Sequence, residues 1–315
     1  MPIFILRRFA VLVLALLVVT FLVFLIPYIG ETDPVRALAR ARFGRLDLNA
    51  ATIEALRLEL GMHRPLVVQY LDWLRSAVTG DFGNSYMSRE PVVEQVWSAL
   101  KVSVVLTLAS LGFAFAVAVP TGSIAALRRG GSFDMATKSL SQAFVAVPEY
   151  WLAPMSILVF ALYLGWLPSA GWRGPESVIL PALALSLRPM GYFTQVMRAS
   201  MIDVLNSPHI VAAHSRGMSV RRTLIAHGLR NALLPVITLF SVWMAGLLGG
   251  AVVIEVIFAV PGMGRLVYSA IVNGDIPVLQ AGLVAIVTLA VVINTVTDLA
   301  YTVLNPVVRI DNATA

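Results

Sequence analysis

The chain has 315 residues, of which 58% are hydrophobic and 13% charged, and these values with a mean hydropathy of +0.84 exclude a water-soluble monomer. Its apolar residues fall in runs of about 20, the helix length that crosses hydrocarbon about 30 Å thick, so the sequence predicts a polytopic α-helical membrane protein. The net charge of +6 reports topology rather than nucleic-acid binding, and the absence of cysteine excludes disulfides, thiolate metal sites and a cysteine nucleophile.

The first predicted span covers residues 9–28, a run without a charged side chain that Arg7 and Arg8 precede. We predict a membrane anchor here, with residues 1–8 as a cytoplasmic N-terminus. A cleaved signal peptide is the alternative, because Ala37-Leu38-Ala39 resembles a cleavage site. The anchor is favoured, since the apolar run is longer than a usual signal core and this triplet lies beyond two acids and a proline.

Residues 29–101 are soluble in character and form a predicted extracytoplasmic loop. Within this loop, Thr52 to Leu60 predicts a short helix that ends at Gly61, and residues 66–78 predict a second, amphipathic helix that carries aromatic side chains. Two arrangements stay open for these helices. They lie along the membrane surface, or they pack against each other as a small cap.

A core of five further spans is predicted within residues 102–306, followed by a tail at 307–315. The spans are 102–127, 139–164, 178–196, 232–254 and 278 to about 303. Six spans in total place both termini on one side of the membrane. In the short connections and tails, that side also carries nearly all of the basic residues, namely Arg7, Arg8, Arg128, Arg129, Lys138, Arg198, Arg216, Arg221, Arg222, Arg230 and Arg309, whereas the short loops of the other side have only Arg173 and Arg265. We therefore predict cytoplasmic termini in a bacterial cytoplasmic membrane, because short cytoplasmic loops concentrate Lys and Arg.

One cytoplasmic connection, residues 198–231, is long enough for two short helices outside the bilayer. Small residues dominate its centre. Ala213 and Gly217 are four apart, so they share a helical face that a partner can approach closely. Gly217 can also take the positive φ that ends the first of the two helices. The segment is therefore a predicted docking surface.

This segment resembles the EAA loop of ABC-importer permeases, which has an Ala-x-x-x-Gly centre and a trailing His-x-x-x-Asn-x-x-x-Pro. The matching residues are Ala213, Gly217, His227, Asn231 and Pro235. In that family, the first short helix fits a groove on the ATP-hydrolysing subunit and transmits its closure to the spans. The resemblance thus implies an ATPase-coupling role for these five residues. His209 and His214 depart from the family pattern, which commonly has Tyr and Arg at these places.

More of the chain resembles one subgroup, the dipeptide, oligopeptide and nickel permeases. The similar segments are 60–61, 65–70, 73–74, 80–85, 91–92, 253–258, 261–266, 298–301 and 305–306. The resemblance implies an all-α, six-span type I ABC-importer permease fold, in which this chain and a homologous permease enclose one pathway that works by alternating access. It also implies two cytoplasmic ATPase subunits, which bind ATP and Mg, and an extracytoplasmic solute-binding protein. No cofactor is expected in this chain.

The substrates implied by this subgroup are di- or oligopeptides, with nickel or a nickel chelate as the alternative. The chain itself is not expected to be an enzyme, because it lacks the Gly-x-x-x-x-Gly-Lys-Ser/Thr loop that cradles nucleotide phosphates. An ion-driven carrier is less favoured, since the docking segment argues against it. An intramembrane enzyme is also less favoured, because the histidines lie outside the predicted spans. No metal site is predicted, and His63 is interpreted as a solvated loop residue.

Two ionisable residues within the predicted spans are candidates for the substrate pathway. Glu149 follows Pro148 in the third span, and Arg188 precedes a proline in the fourth. Charges in hydrocarbon are costly unless they face water, an ion or a partner charge. A transport role and a structural ion pair between Glu149 and Arg188 stay open as equal alternatives. Pro148 and Pro154 also predict a local weakening of the third span.

Overall fold

The computed structural model describes residues 2–29, 35, 50–59, 61–223 and 228–304, and these ranges are almost entirely helical. Their one extended pairing is an isolated antiparallel bridge between Asn84 and Pro91. The helices in chain order are α1 (Pro2–Ile29), α2 (Ala50–Glu59), α3 (Leu66–Val78), α4 (Val92–Leu127), α5 (Ser132–Ala146), α6 (Glu149–Ser156), α7 (Glu176–Leu205), α8 (Pro208–Ser215), α9 (Val220–Thr223), α10 (Leu229–Gly250), α11 (Val252–Ile257), α12 (Met263–Asn273) and α13 (Ile276–Leu304). A π-helical segment, Ile157–Tyr163, continues α6.

The apolar helices agree with a polytopic membrane protein. Four of them are long and apolar enough to cross a bilayer, namely Ala10–Ile29 within α1, the whole of α4 and α10, and Ile276–Thr297 within α13. A fifth candidate is α5 together with α6 and its π-helical extension. The predicted span 178–196 lies inside α7, which has 30 residues and carries several charges. The described helices are compatible with six spans, and that number stays a prediction.

The third predicted span, 139–164, is not one straight helix. It divides into α5 and the α6 helix with its π-helical extension, which meet at 96°. Val147 and Pro148 between them have extended backbone, with ψ of 125° and 137°. Proline disfavours the helical conformation of the residue before it, so the break predicted at Pro148 is confirmed. Pro154 stays inside α6, and the helix changes to the π form directly after Ser156.

Both short helices predicted in the outer loop are confirmed as α2 and α3. The aromatic face of α3 packs against α1. The Tyr70 hydroxyl lies 3.0 Å from that of Thr20, and the Trp73 ring is centred 5.9 Å from that of Phe24. Leu56 of α2 instead packs with Val35 and neighbouring apolar residues. Among the described residues, each short helix therefore has its own packing partner, which disagrees with one of the two open alternatives, a cap in which the helices pack on each other.

The described chain forms two compact units, one from the parts before Val104 together with Pro261–Val292, and the other from Val104–Val260 with the end of α13. In the first unit, a hydrophobic cluster joins the start of α4 to α12 and α13. The carboxylate of Asp275, between α12 and α13, accepts hydrogen bonds from the Ser85 hydroxyl and from the backbone N–H groups of Tyr86 and Met87. This carboxylate therefore fixes the outer loop before α4.

In the second unit, α7 is the central helix and packs against α5, α6 and α10. Gly191 permits the closest approach to α5, because a Cβ atom there would lie 2.6 Å from the Ser141 carbonyl oxygen. On the α10 side, Tyr192 packs against Trp243 and Phe193 stacks on Phe240, with ring centroids 5.7 and 6.1 Å apart. The elements that carry the candidate functional residues thus converge on α7.

Candidate functional site

The predicted docking segment contains the two short helices that its length suggested. α7 ends at Leu205, α8 follows from Pro208 to Ser215, and the short α9 precedes α10. The prediction that Gly217 takes a positive φ is confirmed, with φ at +82°. The Ala213 carbonyl oxygen accepts hydrogen bonds from the N–H groups of Arg216 and Met218, at 3.2 and 3.3 Å. These contacts close the end of α8 in the manner of a glycine cap.

Ala213 and Gly217 have different surroundings. The Ala213 side chain is buried, as is that of Ile210 one turn earlier, so this face of α8 packs against its own chain. Gly217 lies beyond the helix end and is exposed, and the described residues other than its two chain neighbours place no heavy atom within 4 Å of the position a Cβ would occupy. The expected shared helical face is therefore absent, because the positive φ of Gly217 turns the chain out of the helix. Ser215 and Arg216 beside it are also exposed.

The remaining residues of the resemblance lie at or before the start of α10. Asn231 is in the first turn of α10 and exposed, and Pro235 follows one turn later on the same exposed face. Ala232 and Val236 are buried on the other face. His227 lies outside the described residues. Asn231 and Pro235 thus border the segment on the exposed face of α10.

The two candidate pathway residues are neighbours without a fixed pair. Glu149 is half-buried at the first position of α6, directly after the break at Pro148. The charge of Arg188, an exposed residue of α7, acts on Glu149, but the two side chains have no nitrogen and oxygen atoms within 4.0 Å. The structural ion pair considered as an alternative is therefore not formed here. Glu149 keeps its carboxylate at a helix break, where freed backbone groups need water or protein.

Sequence reasoning missed one buried ion pair, between Asp134 of α5 and Arg198 of α7. Arg198 donates from Nε to one carboxylate oxygen and from Nη2 to the other, the latter over 2.9 Å. The Gly130 backbone N–H also donates to Asp134, at 2.9 Å. The Asp134 side chain is 1% exposed and the Arg198 side chain 20%. The partners are 64 positions apart, so no local pattern links them, and the charge count used Arg198 only as a topology marker.

The described residues contain no group of three or more His, Asp or Glu side chains placed to hold a metal ion. The described site consists of an exposed glycine-capped turn at the end of α8, a carboxylate at a broken helix, and an internal ion pair between two packed helices.

Comparison with known proteins gives matches over nearly the whole chain. The family model of the binding-protein-dependent transport system inner membrane component matches residues 118–310, and the model of the N-terminal part of such membrane components matches residues 1–108. A putative peptide transport system permease of Brucella suis is 36% identical over 98% of this chain and 99% of its own length. A metal-staphylopine import system permease of Staphylococcus aureus is 34% identical, and a glutathione transport system permease of Escherichia coli 33%, each over 97% of this chain and 98% of the relative.

Among solved structures, the MetNI methionine ABC transporter in an inward-facing conformation contains a similar fold. The match has a TM-score of 0.59 at 16% identity and covers 69% of this chain and 99% of that one. It supports the helical type I permease fold, and the family models and relatives extend over both compact units. The chain therefore belongs to the family of binding-protein-dependent transport system inner membrane components, the permease subunits of ABC importers.

Proposed function

We propose that this chain is the permease subunit of an ATP-driven importer for di- or oligopeptides. With a homologous permease it encloses the translocation pathway, which opens to the two sides of the membrane in turn. The observation that carries the proposal is the exposed, glycine-capped end of α8. A permease that an ATPase moves needs a fixed surface to which the ATPase subunit can bind. α8 offers one, because Gly217 leaves open space at the end of the helix while another face of α8 is packed on the chain.

The five residues of the docking segment have distinct proposed roles. Ala213 is small so that α8 can lie close against its own chain, and Gly217 both caps α8 and leaves room for the partner. Asn231 and Pro235 line the same segment from the exposed face of α10. His227 is included on the family resemblance alone. Two cytoplasmic ATPase subunits bind ATP and Mg and grip this segment, which requires the segment and both chain termini to be cytoplasmic.

Glu149 is the proposed pathway residue for the substrate. A carboxylate beside a helix break attracts the amino terminus of a peptide or another cationic group, because charge attraction is strong where the local dielectric is low. Arg188 moderates that attraction by its nearby positive charge without forming a fixed pair. Such an intermediate strength suits transport, since a substrate must both enter and leave the pathway. A solute-binding protein on the outer side delivers the substrate.

A metal-chelate permease is the second candidate, and the metal-staphylopine relative at 34% identity favours it. The two candidates differ in the solute, so uptake by cells that lack the chromosomal copy of this chain tests them. The solutes are a labelled mixture of di- and tripeptides and, separately, labelled nickel with histidine as chelator. Peptide uptake restored by the wild-type chain but not by a Gly217→Trp chain supports the proposal. Restored nickel uptake without peptide uptake would contradict it and favour the second candidate.

A further inference from the structure

The connection between α7 and α8 is short and hydrogen-bonded. Asn206 and Ser207 alone separate α7 from α8. Their backbone N–H groups donate to carbonyl oxygens of the last turn of α7, at 3.2 and 3.0 Å, and the Ile210 N–H donates to the Ser207 carbonyl oxygen at 3.1 Å. Ile210 is fully buried. Close-packed elements transmit displacement rather than absorb it, so a push on α8 moves the end of α7.

From α7, two contacts lead to α5, and they are spaced equally along both helices. The first is the Asp134–Arg198 ion pair. The second, between Ser141 and Gly191, lies seven residues later on α5 and seven residues earlier on α7. The two helices therefore run antiparallel, with a contact every two turns. The glycine contact brings the backbones together but has no directional bond between side chains, so it resists sliding of one helix along the other only weakly.

The ion pair supplies the directional contact. A planar guanidinium that holds both oxygens of a carboxylate fixes the distance and the angle between two helices. The Gly130 N–H fixes the Asp134 carboxylate from the other side. A buried ion pair adds little stability compared with apolar side chains of similar size, because both charges lose their hydration. Its geometric precision is therefore the property that an apolar contact at the same place would lack.

The other end of α5 leads to the proposed pathway. α5 ends at Ala146, and Val147 and Pro148 form the break before Glu149. Movement of α5 relative to α6 is movement about this break, where no continuous helical hydrogen-bond ladder opposes it. The route from the docking segment to Glu149 is thus α8, α7, the ion pair, α5 and the break. Each step is a contact within one compact unit of the chain.

We propose that Asp134 and Arg198 are positioning residues that couple movement of α8 to movement about the break at Pro148. This inference rests on the proposed function, because it requires an ATPase that moves α8. The ion pair is then needed for transport efficiency rather than for assembly of the importer. Coupling between sites of this kind is typically worth a factor of about 5 to 150.

The test uses the complete importer in proteoliposomes, with partner permease, ATPase subunits, binding protein and a labelled mixture of di- and tripeptides. The measured quantity is the number of peptides imported per ATP hydrolysed, together with the yield of assembled complex. Two variants are compared with the wild type. Arg198→Lys keeps the charge but loses the two-pronged contact, and the double variant Asp134→Leu/Arg198→Met replaces the pair by apolar side chains of similar size. Arg129→Lys is the matched control at an exposed arginine.

We expect both variants to assemble with wild-type yield and to import about ten-fold fewer peptides per ATP, or fewer still. The control should keep the wild-type ratio. A wild-type ratio in either variant would overturn the inference, and so would loss of assembly in both, which would make the pair a scaffold. The ratio is measured on whatever fraction assembles, so a reduced yield does not obscure it. A wild-type complex without ATP-dependent peptide uptake would instead refute the proposed function, which makes the two failures distinguishable.

Discussion

Gly217 combines two properties that other residue types do not combine at this position. Its φ of +82° is strained for residues with a Cβ, at a cost of about 1–2 kcal/mol. Its surroundings are open, since among the described residues, apart from its two chain neighbours, no heavy atom lies within 4 Å of the position of a Cβ. The first property belongs to the fold of α8, and the second concerns a partner. Substitutions can therefore separate them.

We predict that Gly217→Trp abolishes coupling, whereas Gly217→Asn retains most of it. Asn tolerates the left-handed conformation better than most residues, so it preserves the cap of α8 and adds little bulk. Trp adds more backbone strain than Asn and also places a large side chain in the space proposed for the ATPase subunit. Substrate-stimulated ATP hydrolysis of the purified assembly measures the effect. Wild-type stimulation in the Gly217→Trp assembly would show that this turn is not gripped by the ATPase.

Glu149 gives the second prediction at this scale. Glu149→Gln keeps the shape of the side chain and removes its charge. A hydrogen bond to a charged group is worth about 1.5–3 kcal/mol, and the cationic group of the substrate would lose such a bond to the carboxylate. Peptide uptake should fall by about ten-fold while the yield of assembled complex stays the same. Glu94→Gln is the matched control, because Glu94 is an exposed acid at the start of α4.

Two other results for Glu149→Gln would carry a different meaning. Poor assembly that is rescued by also neutralising Arg188 would show that Glu149 and Arg188 form a structural ion pair. The observed separation of the two side chains argues against this result. Normal uptake of peptides and metal chelates, at normal expression, would remove Glu149 from the pathway altogether.

At the scale of elements, the Asp275 carboxylate holds residues 85–87 of the outer loop before α4. Asp275→Ala removes the acceptor of three hydrogen bonds and leaves the Ser85 hydroxyl and two backbone N–H groups without it. A buried donor left unsatisfied costs about 1–3 kcal/mol. The equilibrium constant for local opening of the loop should therefore rise by about five-fold or more. Trypsin cleavage after the exposed Arg89 of the purified protein measures this opening. Glu94→Ala, at an exposed acid of α4, is the control, and equal cleavage rates in both variants would disprove the role of Asp275.

The orientation of the elements in the membrane gives a further prediction. Because the chain has no cysteine, single introduced cysteines report the side on which they lie. Ser215→Cys, at the exposed end of α8, should resist an impermeant maleimide in intact cells and react after the cells are opened. Ser169→Cys, in the exposed loop after the π-helical segment, should react in intact cells. Labelling of Ser215→Cys but not of Ser169→Cys in intact cells would show that the predicted orientation is wrong.

Local sequence patterns predicted the elements better than their partners. The amphipathic pattern of residues 66–78 predicted α3 with its observed bounds, and Pro148 predicted the break of the third span, because both signals act within a few residues. The packing of Tyr70 on Thr20 was not predictable, since a helical pattern shows that a face is apolar but not what covers it. α4 begins at Val92 rather than at residue 102, because polar residues outside hydrocarbon do not interrupt a helix.

For the whole molecule, the resemblance identified the family and the docking segment, and the family models confirm the first. Burial was harder to predict. Ala213 matches the docking motif, yet its side chain faces its own chain, because smallness suits an internal contact as well as an external one. The Asp134–Arg198 pair could not be predicted, because each residue alone has the pattern of an ordinary charge that flanks a membrane span. Only the fold brings the two side chains into contact.

The central claim is that this chain moves a solute when ATPase subunits act on its docking segment. The most direct test is peptide uptake into proteoliposomes that contain the complete importer, with ATP on the side of the docking segment and a proton gradient imposed separately. We expect uptake against a concentration gradient that requires ATP and the ATPase subunits and is unaffected by the proton gradient. Uptake driven by the proton gradient in the absence of ATPase subunits would contradict it.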